Sequence, residues 1–169
     1  HRLNAVERAL PAEPTRAERD LHLLALFHED MHGEAFVYTR QTHGYAPPPG
    51  SAPHVSGGGA CPGDVEITGG LVELGARFGD GFVFDNEQWA HEVELAPFRM
   101  ARAPVTQAEF RAFVEDGGYA RRALWSEDGW AWRAAERAEH PLHWRRERDG
   151  RWSRRRFDEW VELEPHLPV

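Results

Sequence analysis

HEVELAPFRMARAPVTQAEFRAFVEDGG, residues 91–118, changes its hydrophobic period partway along and thereby decides the fold class. In its first residues Val93 and Leu95 fall on one side and Glu92 and Glu94 on the other, the period-two pattern of a strand. Thr106-Gln107-Ala108-Glu109 then opens a capping box, in which a threonine and a glutamate three residues on satisfy free N–H groups at a helix start. Phe110, Phe113 and Val114 follow at helical spacing as the inner face, and Gly117-Gly118 stops the helix. Short strands beside a single clear helix predict an irregular α+β domain over residues 64–169.

The flanks extend this reading. VEITGGLVELGA, residues 65–76, alternates in the same β manner around a Gly-Gly turn. Six of the seven Trp fall between residues 125 and 160, a density that reads as core. Asp149-Gly150, set between Trp144 and Trp152, predicts a hairpin turn. RRERDGRWSRRR, residues 145–156, reads as the charged outer face of that hairpin, because the rest of the chain is acidic. Residues 47–63 (PPPGSAPHVSGGGACPG) form a Pro/Gly/Ser linker with nothing to bury.

Residues 1–46 read as helical. A short piece with Leu3, Val6 and Leu10 ends near Pro11, and a longer helix opens at the capping box Thr15-Arg16-Ala17-Glu18. Its apolar stripe runs Leu21, Leu24, Ala25, His28, Met31, His32, Ala35 and Thr39 and is expected to face inward; Gly44 and the proline run end it. Two helices in so short a segment cannot enclose a core of their own, so the chain reads as part of a longer polypeptide.

Composition narrows the function classes. With 28 acidic residues against 20 basic ones the net charge is −8, which argues against a general nucleic-acid binder. No apolar run approaches the ~20 residues of a membrane span. A single cysteine, Cys61, excludes an internal disulfide and a Cys-rich zinc module, and the cytoplasm is the expected compartment. All 20 basic residues are arginine, which reads as coding bias and carries no functional conclusion.

Within the long helix, LFHEDMHGEAF (residues 26–36) sets His28 and His32 one above the other, where both rings can reach one metal ion. Buried on the stripe, the two imidazoles need partners for their ring nitrogens, which a metal or backbone and carboxylate groups can supply. Glu29 and Glu34 flank the pair as candidates to orient the imidazoles through hydrogen bonds. The rest of the chain shows no clear third ligand. His22 turns to another face, His43 lies roughly 16 Å further along the axis, and His1, His54 and His91 are weak candidates. H-E-x-x-H is also the motif of zinc hydrolases, with Glu29 as the base, but the extended form needs glycine and histidine where Ala35 and Tyr38 stand. A third reading is a non-enzymatic binding module whose histidine pair is only structural.

HEDMHGEAFVYTRQTHGY (28–45), FVFDNEQWAHEVELAPFRMARAPVTQAEFRAFVEDGGY (82–119) and LWSEDGWAW (124–132) together resemble the ergothioneine- and selenoneine-biosynthesis synthases. That family joins a DinB-like four-helix bundle to a formylglycine-generating-enzyme-like (C-type-lectin-like) domain. The resemblance implies that residues 1–46 end the bundle and that 64–169 begin the lectin-like domain. It further implies a non-haem Fe(II) held by His28, His32 and a third histidine from an earlier helix. The implied reaction uses O₂ to bond a chalcogen to C2 of the imidazole of hercynine, a trimethylated histidine. A tyrosine acid and much of the substrate pocket would belong to segments outside this chain. Where sulfoxide synthases carry two glutamines between the histidines, this chain has Asp30 and Met31, a form closer to the selenoneine synthases. Met31 is therefore a candidate for the substrate pocket, with a selenosugar as donor in place of cysteine or γ-glutamylcysteine. The implied partners are small molecules, with no nucleic acid and no membrane, and the protein is expected to be a monomer.

Overall fold

Both capping boxes form as the sequence predicts, and each starts a helix of the computed structural model, which describes residues 11–51 and 58–169. The first long helix is α1 (Arg16–His43). Four strands follow: β1 (Asp64–Ile67), β2 (Gly70–Leu74), β3 (His91–Leu95) and β4 (Phe98–Ala101). Next come α2 (Gln107–Glu115) and α3 (Glu127–Glu136), then β5 (Trp144–Arg146), β6 (Trp152–Arg156) and β7 (Glu159–Glu162). The mixed helix-and-sheet class is as expected. The short helix expected around Leu3–Leu10, and His1 and His54, lie outside the described residues.

The chain divides into two compact units, His1–Thr39 with Glu66–Met100 and Arg40–Val65 with Ala101–Val169. In the first, β2 and β3 pair antiparallel with Val72 opposite Val93, and β1 pairs with β4. The loop after β2 brings Phe82 and Phe84 against Phe27 of α1, at ring separations of 5.2 and 5.8 Å. Arg16, one face-repeat earlier, lies over the Phe78 ring. So the packed face of α1 runs through Arg16, Leu23 and Phe27.

That face corrects the inward stripe drawn from the sequence. Residues advance about 100° each around a helix, so Leu24, His28 and Ala35 project to one side of the Phe27 direction. No residue of α1 is buried, and Leu21, Leu24 and Met31 are exposed. The aromatic loop meets α1 at Phe27, which stays 37% exposed, and leaves the longer apolar stripe beside it open.

In the second unit β5, β6 and β7 form an antiparallel sheet in chain order. The β5–β6 hairpin turns where Asp149-Gly150 predicts, with Gly150 in the left-handed region at φ 87°. Its flanking tryptophans are the core: Trp144 and Trp152 are only 6% and 8% exposed. Phe110 of α2 meets Trp144 edge-on at 6.1 Å, and the Trp152 indole N–H donates to Glu115 at 3.0 Å. Gln107, also buried, donates to the Pro168 carbonyl and accepts from the Glu164 N–H, both at 3.0 Å, which ties α2 to the C-terminal segment.

Of the hairpin arginines, Arg145, Arg146, Arg148 and Arg151 form the expected exposed face, whereas Arg154, Arg155 and Arg156 are half-buried. Arg145 pairs with Glu147, Arg151 with Asp149, Arg154 with Glu164 and Arg156 with Glu159. Arg145 also lies over the Trp160 ring at 4.1 Å.

A second helix in this domain corrects the expectation of only one. Ser126 caps α3 by accepting from the Gly129 N–H, and Glu127 and Asp128 lie in its first turn, where negative charge is favoured.

Candidate metal-binding helix

The helix that carries the histidine pair is held at both ends by its own sequence. At the N-terminus the Thr15 N–H and hydroxyl donate to Glu18 at 2.9 and 2.8 Å, while the Glu18 N–H returns a bond to the hydroxyl. At the C-terminus Gly44 takes φ 67°, and the N–H groups of Gly44 and Tyr45 turn back to the carbonyls of Gln41 and Arg40. This is the paired-bond termination that glycine makes easy after a last helical turn.

A second anchor holds the last turn of α1. Gln41 donates to the Arg155 carbonyl at 3.0 Å and accepts the Phe157 N–H at 2.6 Å. In return the Arg155 guanidinium donates to the carbonyls of Gln41 and Thr42 at 3.1 and 2.8 Å, and to His143 Nδ1 at 3.1 Å. A cation on terminal helix carbonyls satisfies acceptors the helix cannot and sits at the favourable end of its dipole. The partners are more than a hundred residues apart in sequence, so no local motif announces them.

On α1 the His28 and His32 rings stack, with centroids 4.6 Å apart and an interplanar angle of 25°. Both are exposed, as are Glu29, Met31 and Glu34. Met31 lies about 60° around the helix from His28, on the side toward Phe27.

Three of the other described histidines are engaged elsewhere. His22 Nδ1 donates to the Glu18 carbonyl at 2.7 Å, His43 stacks on Tyr45, and His91 Nδ1 donates to the Trp89 carbonyl at 3.0 Å. Among the described residues no third metal-ligating side chain gathers with the pair.

The donor chemistry fits an open-sided metal site. Two neighbouring imidazoles can supply two nitrogen ligands to iron or zinc, and their exposed face leaves the remaining positions open. The pair offers two nitrogen donors, and among the described residues no group of three ligating side chains forms.

Two curated relatives align with nearly the whole chain. Hercynine oxygenase of Mycolicibacterium thermoresistibile is 35% identical over 98% of this chain and 37% of its own length. Hercynine oxygenase of Mycolicibacterium smegmatis is 34% identical over 86% of this chain and 34% of its own. The chain thus spans about a third of the length of these relatives. Formylglycine-generating enzyme of Streptomyces coelicolor is 40% identical over a shorter stretch, 34% of this chain and 18% of that enzyme. Residues 51–169, which hold the capped α2 and the tryptophan hairpin, match the profile of the sulfatase-modifying factor enzyme 1-like domain. That match covers well over half of the sequence, and the chain belongs to this family.

Proposed function

We propose that this chain is part of an Fe(II)- and O₂-dependent enzyme that joins a chalcogen to C2 of the hercynine imidazole. The observation that carries the reading is the stacked His28–His32 pair on the open face of a capped helix, in a chain that aligns over 98% of its length with a hercynine oxygenase. Residues 1–46 are then the end of a DinB-like bundle, 47–63 a linker and 64–169 the beginning of the lectin-like domain.

In this reading His28 and His32 hold the iron, and Glu29 and Glu34 orient their rings. When bound, an iron with open positions supplies the means to activate O₂ and to hold a soft donor atom. The third ligand and the proton donor come from segments outside the chain. Met31 supplies a soft, apolar wall that accepts no strong hydrogen bond, whereas a glutamine there would donate and accept. Such a wall suits a polarisable selenolate better than the zwitterionic end of cysteine, so the donor is a selenosugar.

The test is metal analysis and turnover of the full-length protein with His28→Ala and His32→Ala. Both variants are expected to lose iron and O₂-dependent hercynine consumption. Iron retained in both would remove the central idea, and bound zinc with peptidase activity would favour a hydrolase using Glu29. The donor is tested separately, by competition between a selenosugar and cysteine or γ-glutamylcysteine. Equal or better use of the thiol would return the chain to carbon–sulfur chemistry while leaving the iron reading intact.

A further inference from the structure

The polar cluster at the end of α1 has a feature that its anchoring role does not require. Arg155 Nη2 has two hydrogens and serves three acceptors: the Gln41 carbonyl, the Thr42 carbonyl and His143 Nδ1. Two are helix carbonyls, which keep their lone pairs at any ordinary pH. The third accepts only while its nitrogen is unprotonated. The 3.1 Å contact therefore requires His143 to be neutral with its proton on Nε2.

We propose that Arg155 is a pH-sensitive latch on the last turn of α1, closed while His143 is neutral and opened when His143 is protonated. Protonation places an N–H and a positive charge directly against the guanidinium, turning one of its acceptors into a repelling donor. Arg155 must then withdraw, and the carbonyls of Gln41 and Thr42 lose their cation. The reciprocal bonds from Gln41 to the Arg155 carbonyl and the Phe157 N–H are left to hold the helix end alone.

The surroundings make His143 the titrating member. Half-buried, it faces Arg155 from β6, and burial first and the guanidinium second hold its pKa below the ordinary imidazole value of 6.5. The ionisable groups of the adjoining helix turn are engaged elsewhere, Arg40 on the Ala46 carbonyl and His43 on the Tyr45 ring.

The sign follows from linkage. A histidine whose folded pKa is depressed binds its proton more readily once its contacts are lost. The latch is thus fully closed above the ordinary value and is weakened as pH falls below it toward the lower folded value. It rests on the second unit alone and holds whether or not the chain acts on hercynine.

Hydrogen exchange on the full-length protein, corrected for intrinsic rates, reads the latch through two amides. Tyr45 N–H is bonded to the Arg40 carbonyl and Phe157 N–H to the Gln41 side chain. Their protection is expected to fall about tenfold between about pH 7.5 and about pH 5.5, while the Phe110 amide inside α2 keeps its own. His143→Asn places a non-titrating oxygen where Nδ1 stands, and should abolish the pH dependence while retaining the protection. Arg155→Gln should lower the protection of both amides at every pH. A flat profile in the wild type, an undiminished slope in H143N, or a parallel loss at Phe110 would each overturn the latch.

Discussion

The histidine face of α1 and the tryptophan hairpin both carry large apolar side chains, with opposite fates. Leu21, Leu24 and Met31 beside the histidines are 66%, 43% and 49% exposed, whereas Trp144 and Trp152 are almost fully enclosed. The hairpin tryptophans are enclosed because they meet each other and Phe110 and Glu115 of α2. A two-residue turn signal sets its register, and Gln107 ties α2 to the C-terminal segment. The helix face has no such local partner among the described residues; its aromatic loop covers the neighbouring stripe. Burial is thus a property of what a face meets, and helical periodicity supplies only the candidate faces.

The largest expected effect lies in the enclosed region. Trp144→Ala removes the indole that Phe110 and Trp152 both pack against, and such truncations cost about 3–5 kcal/mol. Denaturant titration followed by the remaining tryptophans should show the second unit at or below marginal stability. A loss under about 1 kcal/mol would mean that the hairpin is not the core.

Gln107→Ala should come next. It removes the side-chain partner of the Glu164 N–H and the Pro168 carbonyl, and for such half-buried groups the loss is expected near the lower end of about 1–3 kcal/mol. The C-terminal residues 163–169 should lose hydrogen-exchange protection before the sheet does. Uniform loss everywhere would show that Gln107 acts on the whole unit and not on that docking.

Thr106→Ala is smaller, about 1 kcal/mol for a lost cap, and it has a pH signature. Hydrogen bonds from the Thr106 N–H and hydroxyl hold the Glu109 carboxyl below the usual carboxylate range. A depressed carboxylate stabilises above its unfolded pKa and loses that contribution as pH falls through its folded value. The gap between wild type and T106A in thermal denaturation should therefore narrow from about pH 6 to about pH 3. A constant gap would mean that the capping box contributes nothing through its charge.

What the sequence made legible was local. Both capping boxes, the Gly44 and Gly117 stops and the Asp149-Gly150 turn are encoded within four or five residues, and all form. The helix α3 was hidden because Trp130 and Trp132 alternate like strand residues, with Gly129 in the first turn. Ser126 followed by two acids was the signal that outweighed them. The Arg155–Gln41 anchor has no local signature, since its members lie 114 residues apart in the chain. The histidine pair was legible as a motif, but its exposure was not, because that depends on which face of the helix meets the loop.

The smallest expected effect on stability tests the comparison from its other side. His28 and His32 are exposed and stack on each other, and neither takes part in the capping box, the glycine stop or the contacts of Phe27. Replacing either with alanine in metal-free protein should change the unfolding free energy by no more than about 0.5 kcal/mol, the range of surface substitutions that touch no special feature. Alanine also has the better helix propensity, which offsets part of the lost ring contact. Phe27→Ala on the covered face serves as the control, since it strips two aromatic contacts from the loop at Phe82 and Phe84. If H28A or H32A destabilises the metal-free protein as much as F27A does, the pair braces the fold and its exposure misleads. If instead the two variants are silent without metal but lose the added stability that Fe(II) confers on the wild type, the pair acts only through a ligand. That second pattern is the expected one, because binding to the native state alone is what converts ligand affinity into stability.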